Sequence, residues 1–328
     1  MTIRPLLLLA AVLATPLPVV SDSGPFGVSP PIVQPGPPQI PTDPERWLPW
    51  RVFTWRDGVK PGAPALAEDA QGYIWAATPD GLVRYNGQSW QQIEIPGEPA
   101  PVGIFSLLAG RDGSLWIGLP AGRLLRMRAG GWHRFDSRSG VPAGLVASLI
   151  ETVEEGRSTV WVGTASGLGR CRGDACAEVP ALHGLSVRAL NATRTEEGRL
   201  ALWIGTQRGL LRLDDAGGDR PLLSPLFDPP AVLPDRSVRS LAETVGRDGR
   251  RSLWVGTDGG LARLRDGVWT RYDPGSGFPP GPVVKLLASR SPEGEPIVWV
   301  GSFRSGLLRI QDDSRWQAFD SRCGLPAN

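Results

Sequence analysis

Short apolar segments alternate with turns along most of the chain, and one such pattern recurs six times. Its clearest copy, residues 252–263 (SLWVGTDGGLAR), has an apolar strand, a short turn containing glycine, and a second strand that begins Gly-Leu and ends on arginine. The tryptophans that lead the copies, separated by 41, 45, 42, 51 and 45 residues, are Trp75, Trp116, Trp161, Trp203, Trp254 and Trp299. A motif that returns at this interval among short β segments indicates a β-propeller.

Each repeat is predicted to form one blade of four antiparallel strands, called a, b, c and d in chain order. In the fifth repeat the four strands are predicted at residues 237–243, 253–257, 261–264 and 268–272. The dipeptide Asp266-Gly267 between the last two is a strong hairpin signal. A single four-stranded sheet cannot bury both of its faces, so we expect neighbouring blades to cover each other. The fold class is therefore predicted as an all-β propeller of four-stranded blades.

Three residue types recur inside the motif for physical reasons. The glycine two residues after five of the six tryptophans lets a neighbouring backbone or ring come close, and the glycine of Gly-Leu suits a turn with positive φ. The repeated arginines are Arg84, Arg126, Arg170, Arg212, Arg263 and Arg309. They could form a ring around a ligand, but the interpretation we favour is structural, with bonds to carbonyls or to acidic turn residues between blades.

The N-terminal segment of the predicted propeller carries an extra d strand that the last repeat does not need. Residues 50–58 (WRVFTWRDG) resemble the d strands and following loops at 132–140 and 269–277, whereas the sixth repeat already has its own d strand at 316–319. Residues 323–328 then resemble a d–a loop. This pattern predicts six complete blades plus an orphan N-terminal outer strand, which is typical of a seven-bladed propeller cut short. A six-bladed ring with a spare strand is the alternative.

The N-terminus predicts export from the cytoplasm. Residues 1–21 have a positive charge at Arg4 followed by the short apolar run 5–14, as a signal peptide does. An uncleaved anchor is the alternative. Residues 22–46 are rich in proline and read as a disordered linker, so the propeller is predicted at 47–328. We expect a periplasmic or secreted protein, anchored in a membrane only if the full-length protein continues past Asn328.

The charge and the cysteine content limit the kinds of partner and of covalent bond that we expect. The net charge is +2 and the basic residues are scattered, which argues against nucleic acid and anionic lipid as partners. Cys171 and Cys176 flank a predicted hairpin turn, so we hypothesise a disulfide between them, with two unpaired thiols as the alternative. The third cysteine, Cys323, has no predicted disulfide partner.

No catalytic constellation is recognisable in the sequence. The two histidines, His133 and His183, have no neighbours at metal-ligand spacing, and no nucleophile elbow or phosphate loop occurs. Asp69, Gly72 and Trp75 have the spacing of the Asp-box of sialidases, which is a structural turn. We therefore predict no catalytic residues, no metal, no cofactor and no enzymatic activity.

The repeats resemble those of the two-component regulator propeller family. The segments that carry the resemblance are DGSLWIGLPAGRLLR (112–126), STVWVGTASGLGR (158–170), LWIGTQRGLLR (202–212) and SLWVGTDGGLAR (252–263). The opening VFTWRDGV (52–59), followed by EDAQGYIWAATPDGLVRYNG (68–87), looks like the first repeat of such sensors. The resemblance implies the exported sensor region of a bacterial membrane receptor. Its expected partner is a membrane-anchored output part with a histidine kinase, diguanylate cyclase or DNA-binding domain, none of which lies in this chain.

The function we predict is ligand sensing by the loops at one end of the blades. The d–a and b–c loops share one end of a propeller, and the varied residues there are Trp55, Arg56, Asp80, Arg208, Asp258, Phe303 and Arg304. An aromatic ring beside arginine and aspartate suits a saccharide or a small anionic ligand. The alternatives are a secreted propeller enzyme of lyase or glycosidase type and a protein-interaction scaffold. A homodimer is compatible with each of the three.

Overall fold

The computed structural model contains strands and short 3-10 helices. It describes residues 53, 55–57, 59–60, 62–98, 101–195, 197–216, 218, 221–227, 232–312 and 315–319. The predicted signal peptide (1–21) and the proline-rich linker (22–46) lie outside these residues. Among the described residues, no helix has the length and apolar character that crossing a membrane requires.

Six four-stranded antiparallel sheets follow one another along the chain, each in the order a, b, c, d. The strands of blades one to three are β1 Leu66–Glu68, β2 Ile74–Thr78, β3 Gly81–Tyr85, β4 Trp90–Ile93, β5 Ser106–Ala109, β6 Leu115–Gly118, β7 Leu124–Arg128, β8 Gly131–Phe135, β9 Val146–Glu154, β10 Arg157–Thr164, β11 Gly167–Arg172 and β12 Ala175–Glu178. Those of blades four to six are β13 Val187–Arg194, β14 Leu200–Thr206, β15 Gly209–Asp214, β16 Leu222–Phe227, β17 Val238–Val245, β18 Arg251–Thr257, β19 Gly260–Arg265, β20 Val268–Tyr272, β21 Val283–Arg290, β22 Pro296–Ser302, β23 Gly306–Asp312 and β24 Arg315–Phe319. The predicted fold class, an all-β propeller of six complete blades, is confirmed.

The chain forms two compact units, residues 51–226 with blades one to four and residues 227–328 with blades five and six. Inside the first unit, the a strands β1, β5, β9 and β13 lie next to each other in sequence order. Inside the second unit, β17 lies next to β21 in the same way. The core of each unit is therefore a series of layers between consecutive blades.

The recurring tryptophan and arginine of the motif are partners across the b and c strands. The six register pairs are Trp75–Arg84, Trp116–Arg126, Trp161–Arg170, Trp203–Arg212, Trp254–Arg263 and Trp299–Arg309. In blades two, four and five the guanidinium carbon lies 5.4, 5.3 and 5.5 Å from the indole centroid, within range of a cation–π contact. This geometry supports the structural interpretation of the repeated arginines.

In five of the six motif tryptophans the indole N–H is bonded to the a strand of the same blade or to the turn that follows it. Trp161 Nε1 donates to Thr152 Oγ1 at 2.9 Å, and Trp254 Nε1 donates to Thr244 Oγ1 at 2.9 Å. In blade one, Trp75 Nε1 donates instead to the Asp69 carboxylate at 2.8 Å. A buried indole N–H needs an acceptor, so these bonds fix the ring as well as the strand pairing. The Asp69 carboxylate also accepts two backbone N–H groups, as a structural turn would.

In blades two, three and five, the glycine two residues after the tryptophan lies close to the first valine of the next blade, whereas blade one has Ala77 at this position. A Cβ at Gly118 would lie 2.6 Å from Val146 Cγ1, and one at Gly256 would lie 2.5 Å from Val283 Cγ1. Both valines begin the a strand of the following blade. A neighbouring group does come close at this glycine, but it is a valine side chain and not the ring or backbone that the sequence led us to expect.

The glycine of Gly-Leu has two different roles. Gly81, Gly209 and Gly260 have φ of +116°, +136° and +143°, as the sequence predicts. Gly167 is not among the positive-φ residues, and a Cβ there would lie 2.8 Å from Glu178 Oε1. A positive φ is therefore not what requires glycine in blade three.

Arginines also connect consecutive blades through main-chain acceptors. Arg194, which ends β13, donates to the carbonyl of Val153 in blade three at 3.0 Å. Arg290, which ends β21, donates to the carbonyl of Val245 in blade five at 2.9 Å. Arg126 donates to Gly173 O at 3.0 Å and pairs with Asp174, so the Arg-Gly-Asp triplet of residues 172–174 is part of a blade contact.

The predicted N-terminal outer strand is described only in part. Residues 50–52 lie outside the described residues, whereas Trp55–Asp57 form a 3-10 helix like those after β8 (Ser137–Ser139) and β20 (Pro274–Ser276). The ring of Phe53 packs edge-on against Tyr85 and Trp90 of blade one, with centroids 5.1 and 5.5 Å apart. This part of the N-terminal segment therefore lies on blade one. The predicted d–a loop at 323–328 is not described.

The hypothesised disulfide lies where β11 and β12 pair. Cys171 and Cys176 are register partners with Cα atoms 4.0 Å apart, and the structure joins their sulfurs. Cys171 packs in the apolar layer of blades two and three with Trp116 and Val146. The bridge therefore closes a hairpin at the side of the blade that faces its neighbour.

Replacing Gly118 with alanine tests the close approach between blades. The added methyl would overlap Ser106 Oγ and Val146 Cγ1, so we expect a loss of roughly 2–3 kcal/mol in the free energy of unfolding. Gly131→Ala in the same blade is the matched control. A Cβ at Gly131 meets only Arg128 O, at 3.4 Å, so its effect should stay within about 0.5 kcal/mol. Urea unfolding of both variants measures the difference, and equal stabilities would contradict the packing described.

Candidate functional site

The b–c turns bring five of the seven predicted ligand residues to one end of their blades. Asp80, Arg208, Asp258, Phe303 and Arg304 each lie between a b strand and a c strand. The d–a connections reach the same end, because successive strands in each sheet are antiparallel. The candidate site is therefore a set of turn tips and d–a connections, considered separately in the two units.

A threonine at the end of the b strand closes most of these turns. Thr206 Oγ1 donates to Gly209 O at 2.8 Å, and Thr257 Oγ1 donates to Gly260 O at 2.9 Å. The same hydroxyl of Thr206 accepts the backbone N–H of Arg208 at 3.0 Å. This local bonding satisfies the turn without help from its tip residues, so their side chains are not needed for the turn itself.

Asp80 is held by an ion pair that the sequence did not suggest. Lys60 Nζ lies 2.8 Å from Asp80 Oδ1, and the two side chains are 59% and 49% exposed. The carbonyl of Asp80 also accepts a bond from Gln92 Nε2 at 3.2 Å. A pair so open to solvent contributes little to stability, so Asp80 remains accessible to an incoming group.

Asp258 is paired with Arg239, a residue that the sequence analysis missed. The Nε of Arg239 donates to the Asp258 carboxylate, and each side chain is about one-third exposed. Arg239 lies at a β-bulge of β17, since the register shifts between Val238 and Ser240. A bulge redirects a side chain, and this one turns Arg239 towards the b–c turn. The tripeptide Ser-Val-Arg, which occurs at 186–188 and again at 237–239, is the signal that could have found it.

Phe303 and Arg304 project from the b–c turn of blade six, between β22 and β23. Phe303 is half-buried and its backbone N–H donates to Pro282 O at 3.2 Å, which packs the turn against the d–a connection before β21. Arg304 is exposed and its side-chain carbons pass close to Gly281, which has φ of +120°. An aromatic ring and a guanidinium are thus neighbours at one rim of blade six.

The remaining predicted residues are more isolated. Arg208 is exposed at the tip of its turn in blade four. Trp55 and Arg56 belong to the 3-10 helix Trp55–Asp57, and Arg56 is exposed. The unit of residues 51–226 holds Trp55, Arg56, Asp80 and Arg208, and the unit of residues 227–328 holds Asp258, Phe303 and Arg304. The structure therefore places the seven at turn tips and connections but does not bring them into one described pocket.

Neither histidine belongs to a group of metal ligands. His133 lies in β8 with its ring 4.5 Å from that of Phe135. His183 Nδ1 lies 2.8 Å from Glu178 Oε1 at an exposed position. Across the part of the chain that the structure describes, no three His, Cys, Asp or Glu residues are grouped as metal ligands.

Comparisons with known proteins bear on the fold. No protein-family model matches the chain, and no curated protein matches it at a significant level. One similar solved structure is the extracellular domain of a hybrid two-component system, BT4673 from B. thetaiotaomicron. It has a TM-score of 0.45 and 18% identity over 77% of this chain, which spans 44% of that chain.

Two other solved structures are more similar in shape. One is BBS1N in complex with ARL6DN, with a TM-score of 0.54 and 14% identity over 77% of this chain and 79% of that chain. The other is PorZ of the type-IX secretion system of Porphyromonas gingivalis, with a TM-score of 0.53 and 15% identity over 76% of this chain and 38% of that chain. At these identities the likeness shows the fold alone.

Proposed function

We propose that the chain is an extracytoplasmic, ligand-sensing β-propeller and the input region of a bacterial signal-transduction receptor. Ligand recognition is assigned to the end of the blades that carries the b–c turns and the d–a connections. The membrane-anchored output part belongs to the full-length receptor.

The observation that carries this proposal is the contrast between repeated strands and varied turn tips. The motif positions of the strands recur from blade to blade, and the tryptophan–arginine pair recurs in all six. The tips between the b and c strands do not recur: they read Pro-Asp at 79–80, Pro-Ala-Gly at 120–122, Ala-Ser at 165–166, Gln-Arg at 207–208, Asp-Gly at 258–259 and Phe-Arg-Ser at 303–305. Loops on a rigid scaffold that differ from one another are the usual carriers of binding.

The side chains at these tips favour a saccharide or a small anion. Phe303 offers a flat apolar surface and Arg304 offers a rigid fork of donors. The Arg239–Asp258 pair in blade five supplies a donor and an acceptor that are already oriented. A sugar ring binds through one apolar face and several hydroxyl groups, and this combination suits it.

The receptor role rests on the sequence. The resemblance of six motif copies to the two-component regulator propeller repeat supports a sensor, and the signal-peptide pattern of residues 1–21 supports export. The enzyme and scaffold alternatives share the same fold, and fold alone does not separate the three classes. Binding of a small molecule would favour a sensor or an enzyme over a protein-interaction scaffold.

A thermal-shift screen with neutral monosaccharides, galacturonate and inorganic phosphate tests ligand recognition. We expect at least one of these probes to raise the Tm, and we expect Phe303→Ala with Arg304→Ala to weaken its binding about ten-fold or more, measured by calorimetry. Arg250→Ala is the control, since Arg250 lies in the a–b turn at the other end of blade five and pairs with Asp266.

Two results would count against this assignment. Binding that is unchanged in the Phe303/Arg304 variant would show that the wrong end of the blades was chosen. A protein that gives no shift with any probe would favour the scaffold interpretation.

The receptor role predicts what the DNA after the Asn328 codon encodes. In the natural gene we expect another Trp-x-Gly-Thr repeat, then a membrane helix and an output domain. Sequencing the locus measures this directly. A stop codon at that point, together with a product recovered from the culture medium, would contradict the receptor role and leave a secreted binding protein.

A further inference from the structure

Blade two departs from the repeated motif at its b–c turn. Its turn has three residues, Pro120–Gly122, and Ala121 has a left-handed φ of +60°, which strains a residue other than glycine. Arg123 then stands directly before the first leucine of the c strand. In the other five blades this position is held by glycine, at Gly81, Gly167, Gly209, Gly260 and Gly306. Blade two therefore has an arginine side chain where the other blades have none.

Glu98 brings two arginines of blade two together. Its side chain lies in the connection between β4 and β5 and is only 7% exposed. Arg123 Nη1 donates to both of its carboxylate oxygens, at 2.7 and 2.6 Å. Arg134 Nη1 lies 3.5 Å from Glu98 Oε1, and Arg134 Nη2 donates to Pro96 O. One carboxylate therefore holds two guanidinium groups next to each other.

This cluster of Glu98, Arg123 and Arg134 lies where blade two meets blade one. Arg134 is the register partner of Leu125, which packs with Trp75 of blade one in an apolar layer. All of these residues belong to the unit of residues 51–226. The connection from blade one, the b–c turn and the d strand of blade two thus meet in a single charged cluster.

The cluster has one more positive charge than negative charge. Neither arginine pairs with a second carboxylate in the part of the chain that the structure describes. The side chains of Arg123 and Arg134 are 43% and 51% exposed, so the excess charge faces solvent. Adjacent cations repel each other, and one further anion offsets this repulsion.

Each arginine has one nitrogen that the cluster does not use. Arg123 donates through Nη1 to Glu98 and through Nε to Pro120 O, at 3.4 Å, and its Nη2 makes no hydrogen bond to any described residue. Arg134 directs Nη1 and Nη2 to Glu98 and Pro96, and its Nε makes none either. The two oxygens of a carboxylate can accept one bond from each arginine. A phosphate dianion would instead bring a second excess negative charge close to Glu98, so the charge balance favours a monocarboxylate.

An exposed aromatic ring lies beside the same turn. Phe105, directly before β5, is 41% exposed. A Cβ at Gly103 would lie 3.2 Å from Phe105 Cε2 and 3.7 Å from Pro120 Cγ, so the ring and the proline border the same small space. Pro120 is also the residue whose carbonyl accepts the bond from Arg123. An apolar surface is therefore continued, through Pro120, by the two arginines.

We propose that Arg123, Arg134 and Phe105 form a binding site for an organic carboxylate that has an apolar ring at its far end. The carboxylate binds Arg123 Nη2 and Arg134 Nε, which Glu98 holds in place. The apolar ring covers Phe105 beside Pro120. Burial of the exposed phenylalanine ring favours this class over a sugar acid or an inorganic anion.

This site is additional to the sensing role proposed above. It lies in blade two and takes a different class of ligand from the turn at Phe303–Ser305 in blade six. Binding at one site does not require binding at the other, so the two proposals are tested separately.

Calorimetry on the unmutated protein tests the ligand class at constant ionic strength. The probes are hydrocinnamate, propionate, the neutral hydrocinnamyl alcohol, galacturonate and inorganic phosphate. We expect hydrocinnamate to bind at least about five-fold more tightly than propionate, since only hydrocinnamate has a ring to cover Phe105. It should bind at least about ten-fold more tightly than the alcohol, which lacks the charge that the arginines recognise. Galacturonate and phosphate should bind more weakly than hydrocinnamate.

Variants of blade two test the residues of the site. Arg134→Gln should weaken hydrocinnamate binding about five-fold or more, because one of the two charged donors is lost. Phe105→Ala should reduce the affinity for hydrocinnamate to that for propionate. Arg271→Gln is the matched control, since Arg271 has the same register position in blade five as Arg134 has in blade two, and it should change neither affinity. Circular dichroism and the Tm verify that each variant is folded.

The proposal is overturned by any of four results. The first is an unmutated protein that does not bind hydrocinnamate. The second is propionate, phosphate or the alcohol binding as tightly as hydrocinnamate. The third is hydrocinnamate binding that Arg134→Gln leaves unchanged. The fourth is hydrocinnamate binding that is lost in the Phe303/Arg304 variant, which would place it in blade six. The first two are measured without a substitution, so they do not depend on the folding of a variant.

Discussion

The contact between the motif glycine of one blade and the first valine of the next is the constraint on which the rest of the structure depends. Gly118 faces Val146, Gly163 faces Val187 and Gly256 faces Val283, so each a strand lies against the blade before it. Because the next blade lies so close, it covers the indole of the same motif. Burying roughly 200 Å² of the indole contributes at most about 5 kcal/mol. A larger residue at Gly118, Gly163 or Gly256 would meet the valine of the next blade.

This constraint explains why strands repeat while turn tips vary. Tryptophan needs an acceptor for its N–H, which Thr152, Thr193 and Thr244 provide from the a strand, and its ring accepts the arginine across the sheet. Threonine at the end of the b strand closes the turn through its own hydroxyl. These interactions use the backbone of the tip residues but not their side chains. The side chains at the tips can therefore differ from blade to blade without loss of the fold.

Much of the fold could be predicted from the sequence, whereas the candidate site could be predicted only in part. The periodic tryptophans locate all six blades, because each of them pairs with the motif arginine in a register that every blade repeats. In blade one, Asp69 takes the place of threonine as the acceptor of the indole N–H. The hydrogen bond is kept although the residue differs. Arg239 was missed because a β-bulge, which strand alternation cannot reveal, turns it towards Asp258.

A double-mutant cycle between Gly163 and Val187 tests the central contact most directly. A Cβ at Gly163 would lie 2.7 Å from Val187 Cγ1 and 3.4 Å from the nearest remaining atoms, Val187 Cβ and Leu190 Cδ1. Val187→Ala removes only the closest atom in that set, so Gly163→Ala should cost less in its presence. We expect a coupling of at least about 1 kcal/mol in the free energy of unfolding, with the double variant more stable than the sum of the single effects predicts. Strictly additive effects would contradict the account, because the glycine would then not be admitting the valine of the next blade.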